Sequence, residues 1–453
     1  MIPFFIVSHN NAFLVKATVN SIRRFAPYNV ITVLDNKSTD ADSLCILNEL
    51  KSLDNVIVRL YNDNTGPWRV IREQEFCNVR TKPFILTDPD LDLTKLPLNT
   101  LEILTKIQHK HNANKVGLAL DISQVDDIIK GTYNHDVTVI QWESQFWTNK
   151  IVDHEYELYS AEIDTTFCLY NYSYPSRSIR VGGDFAVKHL PWHMSFIDSL
   201  TANLVARTFY NPTISTTSKL IWKYKKIFKA KDFIVVSDNQ NDAFWGIYNG
   251  WETETFQVFD RFATMSQGIL DIGSWIGPTV LYNASRYKHV WAVDADKGAI
   301  KSLTDNIEVN NFQNKVTVIP KAVYHRSGSV SFGNNLFLAN SRENDSTSQI
   351  YENIEGGKMT ECLSFDDLIK ENKIDNLALI KVDIEGGEEF IMEQLLKYSM
   401  RTKTPIYLSF HFTWWKTKDL TKYVPYFLEF VCGDVSEQIK LHPFISILMQ
   451  PKY

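Results

Sequence analysis

The 453-residue chain holds only five cysteines, Cys45, Cys77, Cys168, Cys362 and Cys432, an odd number with no CxxC pair. That excludes a cysteine zinc module and a disulfide framework, and it fits a reducing compartment. The chain has no excess of positive charge. Its 47 Lys and Arg stand against 53 Asp and Glu, a formal charge of −6, whereas a general nucleic-acid binder would be basic. No segment has the roughly 20 uninterrupted apolar residues that a bilayer span needs. The opening MIPFFIVSHN lacks the basic start, apolar stretch and cleavage site of a signal peptide, and reads as a first β-strand. These absences predict a cytoplasmic protein with no transmembrane segment and no nucleic-acid partner. There is no internal repeat, and no G-x-G-x-x-G to favour a dinucleotide cofactor.

What is present is an α/β pattern, repeated. The length suits two domains of about 200 residues, and 44% hydrophobic residues suffice for two cores. Apolar runs FFIV (4–7), VITVL (30–34), VIVRLY (56–61) and FILTD (84–88) alternate with helical stretches such as Asn11 to Phe25 and Ala41 to Leu53. A second series comprises GILDIG (268–273), VWAVDAD (290–296), VTVIPKAV (316–323), LALIKVDIEG (377–386) and PIYLSFHF (405–412). The expected division is a domain over 1–210, a linker over 211–250 and a domain over 251–453. The linker contains KLIWKYKKIFKAKD, six lysines in fourteen residues, which predicts an amphipathic helix with a solvated lysine face. Contact with an acidic partner, a nucleotide phosphate or a membrane surface is the alternative. The polar stretch 340–357 is expected as a mobile loop.

Two strand ends in the first series carry chemistry. VITVLDN ends in Asp35, followed by Asn36-Lys37-Ser38-Thr39-Asp40; ligands of open α/β sheets bind beyond such strand ends. Asp35 can accept from a base or a ribose, or it can be a plain turn residue, with Ser38 or Asp40 capping the next helix. The second strand end is Thr87-Asp88-Pro89-Asp90-Leu91-Asp92. Carboxylates one residue apart, stiffened by Pro89, can converge on Mn²⁺ or Mg²⁺. A nucleotide-diphosphate sugar needs such an ion, because its leaving group accumulates negative charge. An ordinary polar loop is the alternative.

On FFIVSHN, DNKSTD, the N-T-G-P turn at 64–67 and TDPDLD, the first ~200 residues resemble family 2-like glycosyltransferases of GT-A fold. AEIDTTFCLY (161–170) and IRVGGDFAVKHLPWH (179–193) look like the acceptor half of one branch. The resemblance implies inverting transfer, with Asp35 on the nucleotide and Asp88 and Asp90 around the metal. Inversion needs a general base. Asp164 is the first candidate and Asp184 the second, while a structural carboxylate is an equal reading of Asp164. His189 or His193 could complete the metal shell or touch the diphosphate, although a structural role for either is the simpler reading.

In the second series, Gly268 to Gly277 is a strand entering a turn with glycines four apart. Gly273 permits the tight turn, Gly277 admits the next helix, and Asp294 ends the following strand where a carboxylate can hold a ribose. With LDIGSWIG, including Asp271, and VDAD, this domain resembles the FkbM-type methyltransferases from about Phe256 to His411. Asn306 in TDNIEVNN, KAVYHRSGSVSF (321–332), CLSFDDLI (362–369) and IKVDIEGGE (380–388) add to the resemblance. Trp275 and Asp294-Ala295 depart from it, standing where a small or polar residue and Glu-Pro are usual. The resemblance implies a Rossmann-like fold, S-adenosyl-L-methionine as cofactor, bound by Asp271, Gly273, Gly277, Asp294 and Asn306, and O-methylation of a hydroxyl. Asp383 and His411 are the candidate bases for that hydroxyl, and capping or turn chemistry is the other reading of Asp383 and Glu385.

Together these readings predict a bifunctional enzyme acting on a glycan or glycoconjugate acceptor. Such fusions suit surface polysaccharides, glycolipids or capsid glycans. The rival is one active domain with the other serving as a glycan-binding module. Donor, acceptor, the methylated hydroxyl and the oligomeric state are left open.

Overall fold

The computed structural model describes residues 1–209, 215–237, 240–333, 349–351 and 358–452. The chain divides into two compact units, Met1–Lys225 and Lys226–Tyr453, and both are α/β, as the sequence pattern predicts.

The first unit is built on a nine-stranded sheet. Its strands are β1 (Phe4–Ser8), β2 (Ile31–Asp35), β3 (Val56–Leu60), β4 (Phe84–Thr87), β5 (Lys115–Leu118), β6 (Lys150–Ile151), β7 (Leu158–Ser160), β8 (Cys168–Tyr170) and β9 (Ser178–Val181). The spatial order is β3-β2-β1-β4-β8-β5-β9-β7-β6. The predicted runs fall on β1–β4, which are mutually parallel. β1, β2 and β4 are almost wholly buried, as parallel strands covered on both faces must be. The helix Ala12–Phe25 covers them with Leu14, Val15, Val19, Ile22 and Phe25, the stripe of a 3.6-residue period. β8 enters antiparallel between β4 and β5, and Tyr170 stacks on Phe84 at 5.1 Å. β5–β9 have only two to four residues each, too few to give a periodic signal in the sequence.

The second unit opens with a hairpin, β10 (Ile227–Ala230) and β11 (Phe233–Val236). Further strands are β12 (Gly268–Ile272), β13 (Val290–Val293), β14 (Val316–Ile319), β15 (Ala322–Tyr324), β16 (Gly328–Gly333), β17 (Gln349–Tyr351), β18 (Lys358–Ser364), β19 (Leu377–Val382), β20 (Ile406–His411) and β21 (Phe444–Met449). The main sheet runs β14-β13-β12-β19-β20-β21 and is parallel except for β21. A smaller sheet runs β15-β18-β16-β17. The predicted strand VTVIPKAV is thus two strands in two sheets. Pro320 has no N–H to offer a ladder, and the chain changes sheet there.

Among the described residues, the helical linker expected over 211–250 is two short helices, Thr216–Tyr224 and Asp242–Ile247, with the hairpin between them. Lys226, in the left-handed region at φ 52°, then leads into the hairpin, which reverses near Lys231 at φ 50°. IFKA and FIVV bury Ile227, Ala230, Phe233 and Val235. Residues 211–214 and 238–239 of that segment, and most of the 340–357 stretch expected to be mobile, lie outside the described residues.

The hairpin explains Asn306, which the sequence placed at the cofactor. Its Oδ1 accepts from Val236 N at 2.8 Å and its Nδ2 donates to Val236 O at 3.4 Å. Asn310 does the same for Ile234 at 2.9 and 2.6 Å. Two asparagines one helical turn apart therefore complete the free edge of β11, and Asn306 does not line the groove described below. Asn306→Leu should lower stability by about 1–3 kcal/mol by leaving a buried backbone pair unsatisfied. Urea denaturation measures this, and affinity for S-adenosylmethionine should not change.

Candidate active sites

In the first unit, a cavity of about 640 Å³ opens beyond the end of β4. Asp88, Asp90, Lys115, Glu143, Glu162, Asp164, Arg180 and His189 supply its charged lining, and its aromatic walls include Trp68, Tyr133, Trp142, Phe146 and Trp192. Asp88 accepts from Thr165 Oγ1 at 2.6 Å. Burial first, and then the Asp90 carboxylate, push the Asp88 carboxyl well above its usual range. His189 reaches Asp90 across a hundred residues because a β-bridge joins Leu91 to His189, with Leu190 N donating to Asp90 O at 2.9 Å. The His189 Nε2 to Asp90 Oδ2 distance is 3.4 Å. Asp90 Oδ1 and His189 Nδ1 are buried atoms with no hydrogen-bond partner, which suits a cation or a polar ligand at this spot. Asp88, Asp90 and His189 nevertheless do not bring three ligand atoms within 4.8 Å of one another.

Asp164 is exposed at the cavity, its Oδ1 accepting from Thr166 N at 3.2 Å. The sequence missed Glu143. It lies in the short helix Val139–Ser144 and pairs with Arg180 at 2.5 Å, both side chains buried. Burial outweighs Arg180 and raises Glu143 to about 7. No motif surrounds Glu143, so only the fold brings it to Asp164.

Three candidates lie elsewhere. Asp35 accepts from Ser38 N at 2.8 Å and Ser38 Oγ at 2.5 Å, the turn role weighed against nucleotide contact, and it does not line the cavity. Asp184 sits exposed in the turn Gly183–Phe185. His193 is buried against Asp127 at 3.0 Å.

In the second unit a groove lies at the ends of β12, β13 and β19. Gly273, Trp275, Asp294, Asp296, Lys321, Asp383 and Glu385 line it. Gly273 has φ 83°, and a Cβ there would overlap the Asp383 carbonyl oxygen. The backbone of the turn therefore comes as close to β19 as a glycine permits. Asp294 accepts from Trp275 N at 2.7 Å and Asp296 N at 2.9 Å. Burial raises it to about 6. The groove has a volume of about 70 Å³, and Phe332 and Ile350 also line it.

Asp271 and Gly277, expected at the cofactor, support the groove from behind. Asp271 is fully buried, 3.0 Å from Lys381 Nζ and 2.5 Å from Thr279 Oγ1. Gly277, at φ 95°, heads the helix Pro278–Ala284, where a Cβ would press on Leu303. Both sit one layer below the lining.

Asp383 and His411 do meet. His411 Nε2 lies 3.7 Å from Asp383 Oδ1 and 3.4 Å from Glu385 Oε2, and Nδ1 donates to Glu388 Oε1 at 2.9 Å. Burial works against the imidazolium, but Glu388, Asp383 and Glu385 outweigh it and raise His411 to about 9. Burial raises Glu385 to about 7. The sequence includes Glu388 in the IKVDIEGGE stretch but gives it no role of its own, since an acid in the first turn of the helix Glu388–Thr402 reads as a dipole partner.

No helix among the described residues is long and apolar enough to cross a membrane. No curated protein matches the chain. Among solved structures, it is similar to the methyltransferase FkbM from Methylobacillus flagellatus KT, at 16% identity and a TM-score of 0.29. That match covers 48% of this chain and 56% of the other, so it spans about half of that protein's length. The mannosyltransferase PcManGT from Pyrobaculum calidifontis matches at 12% identity and a TM-score of 0.27, covering 57% of this chain and 73% of the other. S. aureus TarS 1–349 matches at 13% identity and a TM-score of 0.27, covering 80% of this chain and 100% of the other. The family model "Methyltransferase FkbM domain" matches residues 271–435, the stretch that contains the Gly273 turn, Asp294, Asp383 and His411. The second unit therefore carries a methyltransferase FkbM domain.

Proposed function

We propose that the protein is a bifunctional glycan-biosynthesis enzyme. Its first unit transfers a sugar with inversion from a nucleotide-diphosphate donor in a metal-dependent step, and its second unit O-methylates a sugar hydroxyl. The observation that carries the second activity is the FkbM domain with Gly273 and Asp294 on one groove. The first activity rests on Asp88, Asp90, Asp164 and His189 meeting in one cavity, with aromatic walls on which sugar rings can lie.

In the first unit, Asp90 and His189 would hold Mn²⁺ or Mg²⁺, with Asp88 beside them. The ion would supply positive charge to the leaving diphosphate. Asp164 would take the proton of the acceptor hydroxyl. The rival reading, a glycan-binding module, draws support from the same aromatic walls and from the lack of a converged three-ligand set.

In the second unit, Asp294 would accept from the ribose of S-adenosylmethionine and the Gly273 turn would admit the cofactor's backbone-close edge. The cofactor supplies an electrophilic methyl group, and the protein's task is in-line placement of the acceptor oxygen. Asp383 is the better base. His411, raised to about 9, already carries its proton at neutral pH.

Calorimetric titration with S-adenosylmethionine, and separately with nucleotide diphosphates plus Mn²⁺, tests both halves. Binding of both supports two enzymes; binding of one leaves a single enzyme with a passenger unit. Asp90→Asn should reduce sugar transfer at least about 100-fold, by analogy with losing one key electrostatic contact, and leave S-adenosylmethionine affinity unchanged. Loss of both activities would rule out independent sites. The ionised form of Asp294, raised to about 6, is the better ribose acceptor. Cofactor affinity should thus be full above pH 7 and fall by up to about tenfold per unit below pH 6. Asp294→Asn should flatten that profile, and a profile unchanged by the substitution would take Asp294 out of the role.

A further inference from the structure

One oxygen of Asp383, one of Glu385 and one ring nitrogen of His411 lie within 4.8 Å of one another, the one such group of three among the described residues. The set is more than a patch of acids, because its imidazole is aimed. Nδ1–H of His411 donates to Glu388, whose fully buried carboxylate also accepts from Ile384 N at 3.2 Å, Gly386 N at 3.3 Å and Trp415 Nε1 at 3.3 Å. A carboxylate behind the remote ring nitrogen fixes the tautomer and turns the other nitrogen toward the cluster, as in metal-bound histidines. That nitrogen then faces two carboxylate oxygens at 3.7 and 3.4 Å, an arrangement that calls for a positive charge between them, either a proton on the ring or a metal cation in its place. Glu385 Oε2 points the same way, and it is a buried atom with no hydrogen-bond partner.

We propose that Asp383, Glu385 and His411 hold a divalent cation of the Mg²⁺ or Mn²⁺ class, and that this cation seats two neighbouring hydroxyls of a sugar acceptor. Two carboxylate oxygens and one imidazole suit such an ion and leave coordination positions for substrate oxygens. The surroundings fit a sugar. Trp414 stacks on the His411 ring at 5.3 Å, and Phe444 meets Trp414 at 5.4 Å. Both aromatic side chains are exposed, 37% and 55%, and give an apolar face for the C–H side of a pyranose. Asp383 offers Oδ1 to the cluster, while Oδ2 faces Lys381 Nζ at 3.9 Å and keeps an edge for the acceptor proton. The acceptor role rests on the methyltransferase reading above; the cation site does not.

The test is titration of the full-length protein with Mn²⁺ alone, following the electron paramagnetic resonance of the free ion. In Asp90→Asn, which removes a ligand of the first unit, one equivalent should stay bound. Adding Glu385→Gln should weaken it by at least about tenfold. Adding His411→Gln instead should abolish the echo modulation from an imidazole nitrogen. No bound Mn²⁺ in Asp90→Asn, or an isotherm indifferent to both additions, overturns the proposal and leaves a proton as the occupant. Circular dichroism screens each variant for folding. If Asp90→Asn does not fold, wild type against Glu385→Gln decides by the loss of one equivalent. Titration with S-adenosylmethionine, without metal, separates the two claims: a protein that binds the cofactor but fails the Mn²⁺ titration loses the cation site alone, and one that binds Mn²⁺ but not the cofactor loses the reading of the groove.

Discussion

The groove of the second unit depends on one buried lysine. Lys381 lies opposite Asp271 in the β12–β19 register, with Nζ 3.0 Å from Asp271 and donating to Gly273 O at 2.7 Å. Burial works to strip its proton, but Asp271 and Asp383 outweigh that and hold its pKa above the usual lysine value. A buried charge is tolerable only when paired and hydrogen-bonded. Here each bond constrains the groove: Asp271 anchors the neighbouring strand, the Gly273 carbonyl fixes the glycine turn, and Asp383 is oriented at the mouth. With the turn fixed, Gly273 can lie against the Asp383 carbonyl. The left-handed backbone at Trp275 (φ 45°) and Glu385 (φ 53°) is held in the same place, where such conformations persist because the surroundings over-determine them.

The strands of both sheets are legible in the sequence where they are buried runs, and the strand-end acids it singles out at Asp88, Asp90, Asp294 and Asp383 line the two cavities. It could not say which way a carboxylate faces. Asp271 and Asp294 both sit near the end of a strand beside the same groove, yet one is turned inward to Lys381 and the other lines the cavity. Asp35 likewise takes the turn role that the sequence left open, accepting from both the N–H and the hydroxyl of Ser38, three residues on. Local hydrogen bonding decided these cases, and periodicity carries no information about it. Glu143 and Glu388 escaped because their roles are set by partners 37 and 23 residues away. His189 was named for its chemistry alone, since its approach to Asp90 depends on a single β-bridge.

The two cavities balance charge differently. In the first, Asp88 and Asp90 crowd each other, and the buried cation in the lining, Arg180, is committed to Glu143. Burial and Asp90 therefore press Asp88 toward its protonated form, and in the proposed reading a cation brought in with the donor would offset them. In the second, Lys381 is built in, so Asp271 and Asp383 already have a cationic partner.

That contrast bears on where acceptor choice resides. Gly273, Asp294, Asp383 and His411 all fall inside 271–435, the stretch matching the FkbM domain. Phe444, which pairs with His411 across the antiparallel β20–β21 ladder, falls outside it. So does the hairpin that Asn306 and Asn310 clasp. An antiparallel edge strand added to a parallel sheet changes what stands beside the last parallel strand without moving the strand ends that shape the groove. In the proposed reading, cofactor chemistry is therefore carried by the shared stretch, and the face that meets the acceptor is set by β21, which can vary without disturbing Lys381 and the turn it holds.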